Sequence, residues 1–104
     1  MTGEGEGADG RDMGAFGPPR TALIQNRRGL HARAAAKFVK LAAEFDAEVE
    51  VERGDTQVNG QSIMGLMMLA AAIGTSITLR AKGPQGEQAL DALVALVDRK
   101  FDED

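Results

Sequence analysis

The sequence predicts a single α+β domain, an open-faced two-layer sandwich in which a four-stranded antiparallel sheet carries three helices on one face and water on the other. Three observations predict it. Apolar and polar residues alternate along Ala47 to Glu52 and again along Ile77 to Lys82, the period of a strand with one buried face. Two further segments, from Ala34 and from Ala89, repeat their apolar residues every three or four positions, the period of an amphipathic helix. Turn-forming residues punctuate the chain between these runs into the order β-α-β-β-α-β-α.

Thr21 to Gln25 reads as the first strand, ended by Asn26-Arg27-Arg28-Gly29. The first helix follows, with Ala35, Phe38, Ala42 and Phe45 as its stripe, Val39 and Leu41 widening it, and Arg33, Lys37, Lys40 and Glu44 opposite. Ala47, Val49 and Val51 then alternate with Glu48, Glu50 and Glu52 in a second strand, and Gly54-Asp55 suits a two-residue hairpin into a third, Thr56 to Asn59. This hairpin accounts for Arg53-Gly54-Asp55, a tripeptide that otherwise looks like a cell-adhesion sequence. Asn59-Gly60-Gln61-Ser62 forms another turn, Ser62 is placed to cap a short helix, and Gly74 closes that region. In the last strand Thr78, Arg80 and Lys82 point away from Ile77, Leu79 and Ala81, so its basic side chains would complement Glu48, Glu50 and Glu52 if the two strands were neighbours. After Gly83-Pro84-Gln85-Gly86 a final helix is expected, with Ala89, Leu90, Leu93, Val94, Val97 and Phe101 as its stripe.

With 104 residues the chain has room for one domain. Residues 1–20 hold six of the 13 glycines and two of the three prolines, a composition that does not repay the entropy of ordering, so a disordered tail is expected there and the folded domain over residues 21–104. Neither a signal-peptide core nor a stretch of about 20 apolar residues is evident. A soluble, cytoplasmic monomer without membrane insertion is the expectation. The absence of cysteine excludes disulfides and thiolate chemistry, and one histidine leaves no cluster for a transition metal. A net charge of −4 and four aromatics, all Phe, argue against nucleic acid as a partner.

His31 falls just after a glycine turn at the start of the first helix, where free backbone N–H groups and the helix dipole favour an anion. An imidazole lone pair is a competent nucleophile toward phosphorus near pH 7, and Arg33 is within one helical turn to clamp phosphate oxygens. On local physics alone the histidine also suits a cap or surface role, and Arg33 a solvated one. No phosphate-binding loop of the G-x-x-x-x-G-K-[ST] kind occurs, so no nucleotide cofactor is expected and a phosphoryl group would have to come from another protein. The run Ile63, Met64, Leu66, Met67, Met68 and Leu69 is too apolar for a short helix to bury all round, and its exposed part would suit docking to several partners. Arg27, Lys37 and Lys40 would ring that patch and steer acidic surfaces toward it.

Gly29-Leu30-His31-Ala32-Arg33-Ala34-Ala35 resembles the active-site motif of HPr-type phosphocarriers of the phosphoenolpyruvate-dependent phosphotransferase system. Val58-Asn59-Gly60-Gln61-Ser62-Ile63-Met64-Gly65-Leu66-Met67 is similar to that family's regulatory-serine motif, with Gln61 where lysine is common. The resemblance spans Thr21 to the end and implies a sheet whose last strand lies between the first two. It implies that His31 is phosphorylated on Nδ1 by enzyme I and donates to an EIIA-type protein, with Arg33 holding the phosphate. The chain would then be a phosphoryl-transfer intermediate and not a free-standing catalyst. It further implies that a serine kinase and phosphorylase act on Ser62, and that Ile63, Met64 and Met67 lie at the docking face. A nitrogen-branch regulatory carrier, or a non-catalytic interaction module of the same fold, are the alternatives to a sugar-uptake carrier.

Overall fold

The computed structural model describes residues 15–103. Its elements are β1 (Arg20–Leu23), α1 (Ala32–Ala42), β2 (Glu48–Arg53), β3 (Thr56–Asn59), α2 (Ile63–Met68), β4 (Ser76–Lys82), α3 (Gly86–Asp98) and a 3-10 turn (Lys100–Asp102). Among the described residues the sheet has four strands, all antiparallel, in the order β1-β4-β2-β3. The fold class is the one predicted, and the last strand does lie between the first two.

Period-two patterning sets the register. Val49, Val51, Ile77, Leu79 and Ala81 point into the core, while Glu48 pairs with Lys82 and Glu50 with Arg80 on the open face. There Arg80 Nη1 is 2.6 Å from Glu52 and 3.9 Å from Glu50, and Lys82 Nζ is 3.6 Å from Glu48. Such partly exposed pairs contribute little stability each, but a one-residue slip would set the charged residues opposite apolar ones and turn the valines to water. The helices cover the other face: α1 buries Ala34, Ala35, Phe38 and Ala42, and α3 buries Ala89, Leu90, Leu93, Leu96 and Val97. Small alanines on α1 let it approach closely, and Phe38, fully buried, contributes about 2–3 kcal/mol.

Three boundaries differ from the sequence reading. The first strand is Arg20–Leu23, because from Ile24 the backbone bonds to the loop before β4 (Ile24 N to Thr75 O, 2.8 Å) and Asn26 already begins the turn. Of the tail expected over residues 1–20, residues 1–14 lie outside the described residues. The following segment runs beside β4, with Gly17 N donating to Ala81 O at 2.9 Å and Lys82 Nζ 4.7 Å from the Phe16 ring centroid. The last helix, expected to run through Phe101, ends at Asp98: Lys100, Phe101 and Asp102 take φ values of 60°, 55° and 61°, so the chain reverses. Phe101 is fully buried as expected, but from this turn and not from a helix.

Candidate functional site

The loop before α1 is pinned at both ends. Gly29 N donates to Asn26 O at 3.1 Å, and Leu30 N donates to Ala71 O at 2.9 Å, tying the loop to the segment after α2. Gly29 has φ 67°, and a Cβ there would sit 2.5 Å from Ala71 O, so both conformation and space demand glycine. The pinned loop delivers His31 as the N-cap residue of α1, its carbonyl accepting from Ala35 N at 2.8 Å.

The imidazole itself makes no capping hydrogen bond. Its Nε2 meets Oε2 of Glu103 instead, with both side chains mostly buried. Glu103 Oε1 accepts from Asn26 Nδ2 at 3.1 Å, and the same amide donates to Gly29 O at 2.7 Å. Asn26 is fully buried, and its Oδ1 has no hydrogen-bond partner among the described residues. Burial works to raise the pKa of the Glu103 carboxyl. The hydrogen bonds from His31 and Asn26, with the charges of His31 and Arg28, outweigh that and hold it below its ordinary value.

Beside this contact lies a cleft lined by Arg27, Arg28, Arg33, Lys37, Asp102 and Glu103. Four cations against two carboxylates at a helix N-terminus, with no acidic residue in the first turn of α1, make it a place for an anion. Arg33 is exposed there, and Lys37 Nζ is tied to Phe101 O at 2.7 Å. The structure therefore brings His31, Arg33, Arg27 and Lys37 to one place. Lys40 does not line this cleft but an adjoining groove between α1 and α3, which shares Lys37 and Asp102 with it.

Ser62 is the N-cap of α2, its Oγ accepting from Gly65 N at 2.9 Å. Within α2 and just beyond it Leu66 and Leu69 are buried, whereas Ile63, Met64, Met67 and Met68 are exposed, Met64 and Met68 by more than 70%. Leu23 and Ile73 are exposed as well. Since Leu30 bonds to Ala71 and Gly74 bonds to Ile24, the segment leaving α2 and the loop leading to His31 share one edge of the molecule. Arg53 donates to Leu69 O at 3.0 Å, which gives it a structural task at the end of α2.

Glu103, Asn26 and Arg28 were not singled out by the sequence. The one available signal was the acidic run that follows the last apolar residue of the final stripe. Among the described residues there is no group of His, Cys, Asp and Glu that could hold a metal, and no helix long and apolar enough to cross a membrane.

A family model described as "PTS HPr component phosphorylation site" matches residues 19–99. The phosphocarrier protein NPr of Shewanella violacea is 50% identical over 84 residues, 81% of this chain and 92% of the relative. The phosphocarrier protein HPr of Pseudomonas putida is 52% identical over 87 residues, 83% of this chain and 97% of the relative. A crystal structure of HPr from Thermoanaerobacter tengcongensis superposes with a TM-score of 0.80 at 42% identity, covering 84% of this chain and 98% of that one. With a family-model match over most of its length, relatives about half identical to it and an HPr structure that shares its fold, this chain belongs to the HPr/NPr family of phosphocarrier proteins of the phosphotransferase system.

Proposed function

We propose that His31 is the phosphoryl acceptor, charged by enzyme I at the expense of phosphoenolpyruvate and discharged to an EIIA-type protein. The observation that carries this reading is the placement of the single imidazole at the N-terminus of α1 beside a cleft lined by Arg27, Arg28, Arg33 and Lys37. Phosphoryl transfer asks mainly for positioning and for charge to face the equatorial oxygens. The carrier supplies one half of that site and each partner supplies the other. In the forward step a ring nitrogen forms a bond to phosphorus while the donor's bond to phosphorus breaks, its electron pair staying with the donor. Arg33, exposed and one turn from the ring, neutralises the transferred group.

The partners dock on the apolar face of α2, where Ile63, Met64 and Met67 stand exposed beside the loop that leads to His31. Flexible thioethers adapt to more than one partner surface. Phosphorylation of Ser62 by a serine kinase would place a dianion on that face and weaken docking of enzyme I. A nitrogen-branch role has equal support, since an NPr and an HPr relative match at nearly the same identity.

The test is incubation of the protein with phosphoenolpyruvate and enzyme I, followed by intact mass measurement. An acid-labile phosphoryl gain that vanishes in His31→Ala is expected, and its absence in the unaltered protein leaves the chain an interaction module. Arg33→Ala should fold normally and accept the phosphoryl group about tenfold more slowly, the worth of one charge-assisted hydrogen bond. An unchanged rate would remove Arg33 from the site.

A further inference from the structure

The contact between His31 and Glu103 fixes more than the place of the ring. A carboxylate held in its ionised form by His31, Asn26 and Arg28 only accepts, so the hydrogen between the two residues resides on Nε2. A neutral imidazole carries one ring hydrogen, and with Nε2 occupied the free lone pair belongs to Nδ1. We propose that Glu103 is a positioning residue for phosphoryl transfer: anchored by Asn26, it selects the Nε2–H tautomer of His31 and so presents Nδ1 as the attacking atom. This rests on the reading of His31 as the phosphoryl acceptor.

Both carboxylate oxygens are engaged, Oε2 by the imidazole and Oε1 by the buried amide of Asn26, so the carboxylate plane cannot rotate freely. That amide also holds Gly29 O, which couples the carboxylate to the loop that sets the position of His31. The backbone is bent to make the contact. Three successive residues, Lys100 to Asp102, lie in the left-handed region that side chains disfavour, and α3 would otherwise carry Glu103 onward along its axis. The turn is held by Asp102 N on Arg99 O (3.0 Å), Glu103 N on Lys100 O (2.9 Å), Lys37 Nζ on Phe101 O (2.7 Å) and the buried Phe101 ring. So strained a segment persists only because its surroundings over-determine it, and what it delivers is one carboxylate onto one ring nitrogen.

During transfer the Nδ1 lone pair forms the bond to phosphorus, and the donor's bond breaks with its pair. Nε2 keeps its proton throughout. The ring gains positive charge as Nδ1 attacks, and the Glu103 carboxylate faces that charge without receiving a proton. On discharge the N–P pair returns to Nδ1, and the same tautomer is ready for the next cycle.

The experiment is nitrogen-15 spectroscopy of the histidine ring in the full, unphosphorylated chain at pH 8, alongside the rate of phosphoryl acceptance from enzyme I. The unaltered protein should show a pure Nε2–H pattern and a ring N–H protected from exchange with water. In Glu103→Ala the ring N–H should exchange at least tenfold faster and the tautomers should mix. Glu103→Gln, whose amide oxygen still accepts from Nε2, should keep the Nε2–H pattern but accept the phosphoryl group about tenfold more slowly, because the charge is gone. Backbone amide spectra away from the turn report that both variants stay folded. Ring pattern and exchange unchanged in Glu103→Ala overturn the inference, as do unaltered transfer rates in both variants. If the unaltered protein shows the expected ring pattern yet takes no phosphoryl group, the carrier reading fails while the hold of Glu103 on the tautomer stands on the spectra alone.

Discussion

Phe101→Ala probes what holds the C-terminal turn against the ring of His31. Three left-handed residues cost about 1–2 kcal/mol each, or roughly 3–6 kcal/mol together. Against this stand the burial of the Phe101 ring, about 3 kcal/mol, and hydrogen bonds from Asp102 N, Glu103 N, Lys37 Nζ and His31 at about 1 kcal/mol each. The turn is thus favoured by only about 1–4 kcal/mol, and Phe101 is its largest single support. Truncating the ring should open the turn and lower global stability by about 2–3 kcal/mol, since an opened segment no longer bears its strain. In a domain of this size that is about 10–20 °C in Tm, measurable by circular dichroism. The sharper readout is local: the Asp102 and Glu103 amides should lose exchange protection and the His31 ring signals should move. A destabilised variant whose amides stay protected and whose His31 signals stay in place would refute the coupling. Lys100→Gly supplies the opposite sign. At φ 60° on the surface, glycine removes a conformational penalty and should raise stability by somewhat less than 1 kcal/mol, whereas Ala95→Gly, exposed in α3, should cost about 1 kcal/mol.

Gly29→Ala should cost at least about 2 kcal/mol in urea unfolding, combining a positive φ with a Cβ 2.5 Å from Ala71 O; an unchanged midpoint would contradict the close approach. Ser62→Ala deprives Gly65 N of its acceptor and should cost about 1 kcal/mol, while Ser62→Asp should retain the cap yet bind enzyme I more weakly by calorimetry; equal affinity would leave Ser62 a cap alone. The Glu103 carboxyl is held below its ordinary value, so the folded state binds its proton less readily than the unfolded chain. Its contribution is complete above the unfolded pKa, about 4.3, and is lost as pH falls through the lower folded value. A carboxyl titration of Glu103 by carbon-13 spectroscopy should therefore have its midpoint below that of an exposed glutamate, and a midpoint at or above it would refute the assigned contacts.

The parts of this molecule that were legible in the sequence are those set by neighbours along the chain. Alternation in Glu48–Arg53 and Ser76–Lys82 determines which side chains face the core, and the charges of the two runs suited a pairing that the family resemblance implied. Helical spacing located the buried faces of α1 and α3, apart from Ala34 and Leu96, which pack inside although they lay outside the expected stripes, and Val94, which is only half-buried. His31 and Ser62 were legible because turn chemistry puts each at a helix start. The division of the apolar α2 run into buried Leu66 and Leu69 and exposed Ile63, Met64 and Met67 followed from no spacing, since it depends on what α2 rests against; only the family resemblance had put those three at an outer face.

What stayed hidden at the site has one physical cause. Asn26 and Glu103 are separated by 77 positions in sequence, and His31 and Glu103 by 72, so no window of neighbouring residues contains either pair. Their meeting depends on the reversal after α3, and local rules argue against it: Lys100 and Phe101 are poor residues for a left-handed backbone, and Phe101 extends the helical stripe of α3 without a break. Burial of Phe101 reconciles the two readings. The ring belongs to the core, as its spacing indicated, but it enters the core from a turn, and only the turn leaves Glu103 facing α1 instead of continuing along α3. Local preference is overridden where the chain closes on His31, so the break in the helical pattern and the carboxylate against that ring have a common origin.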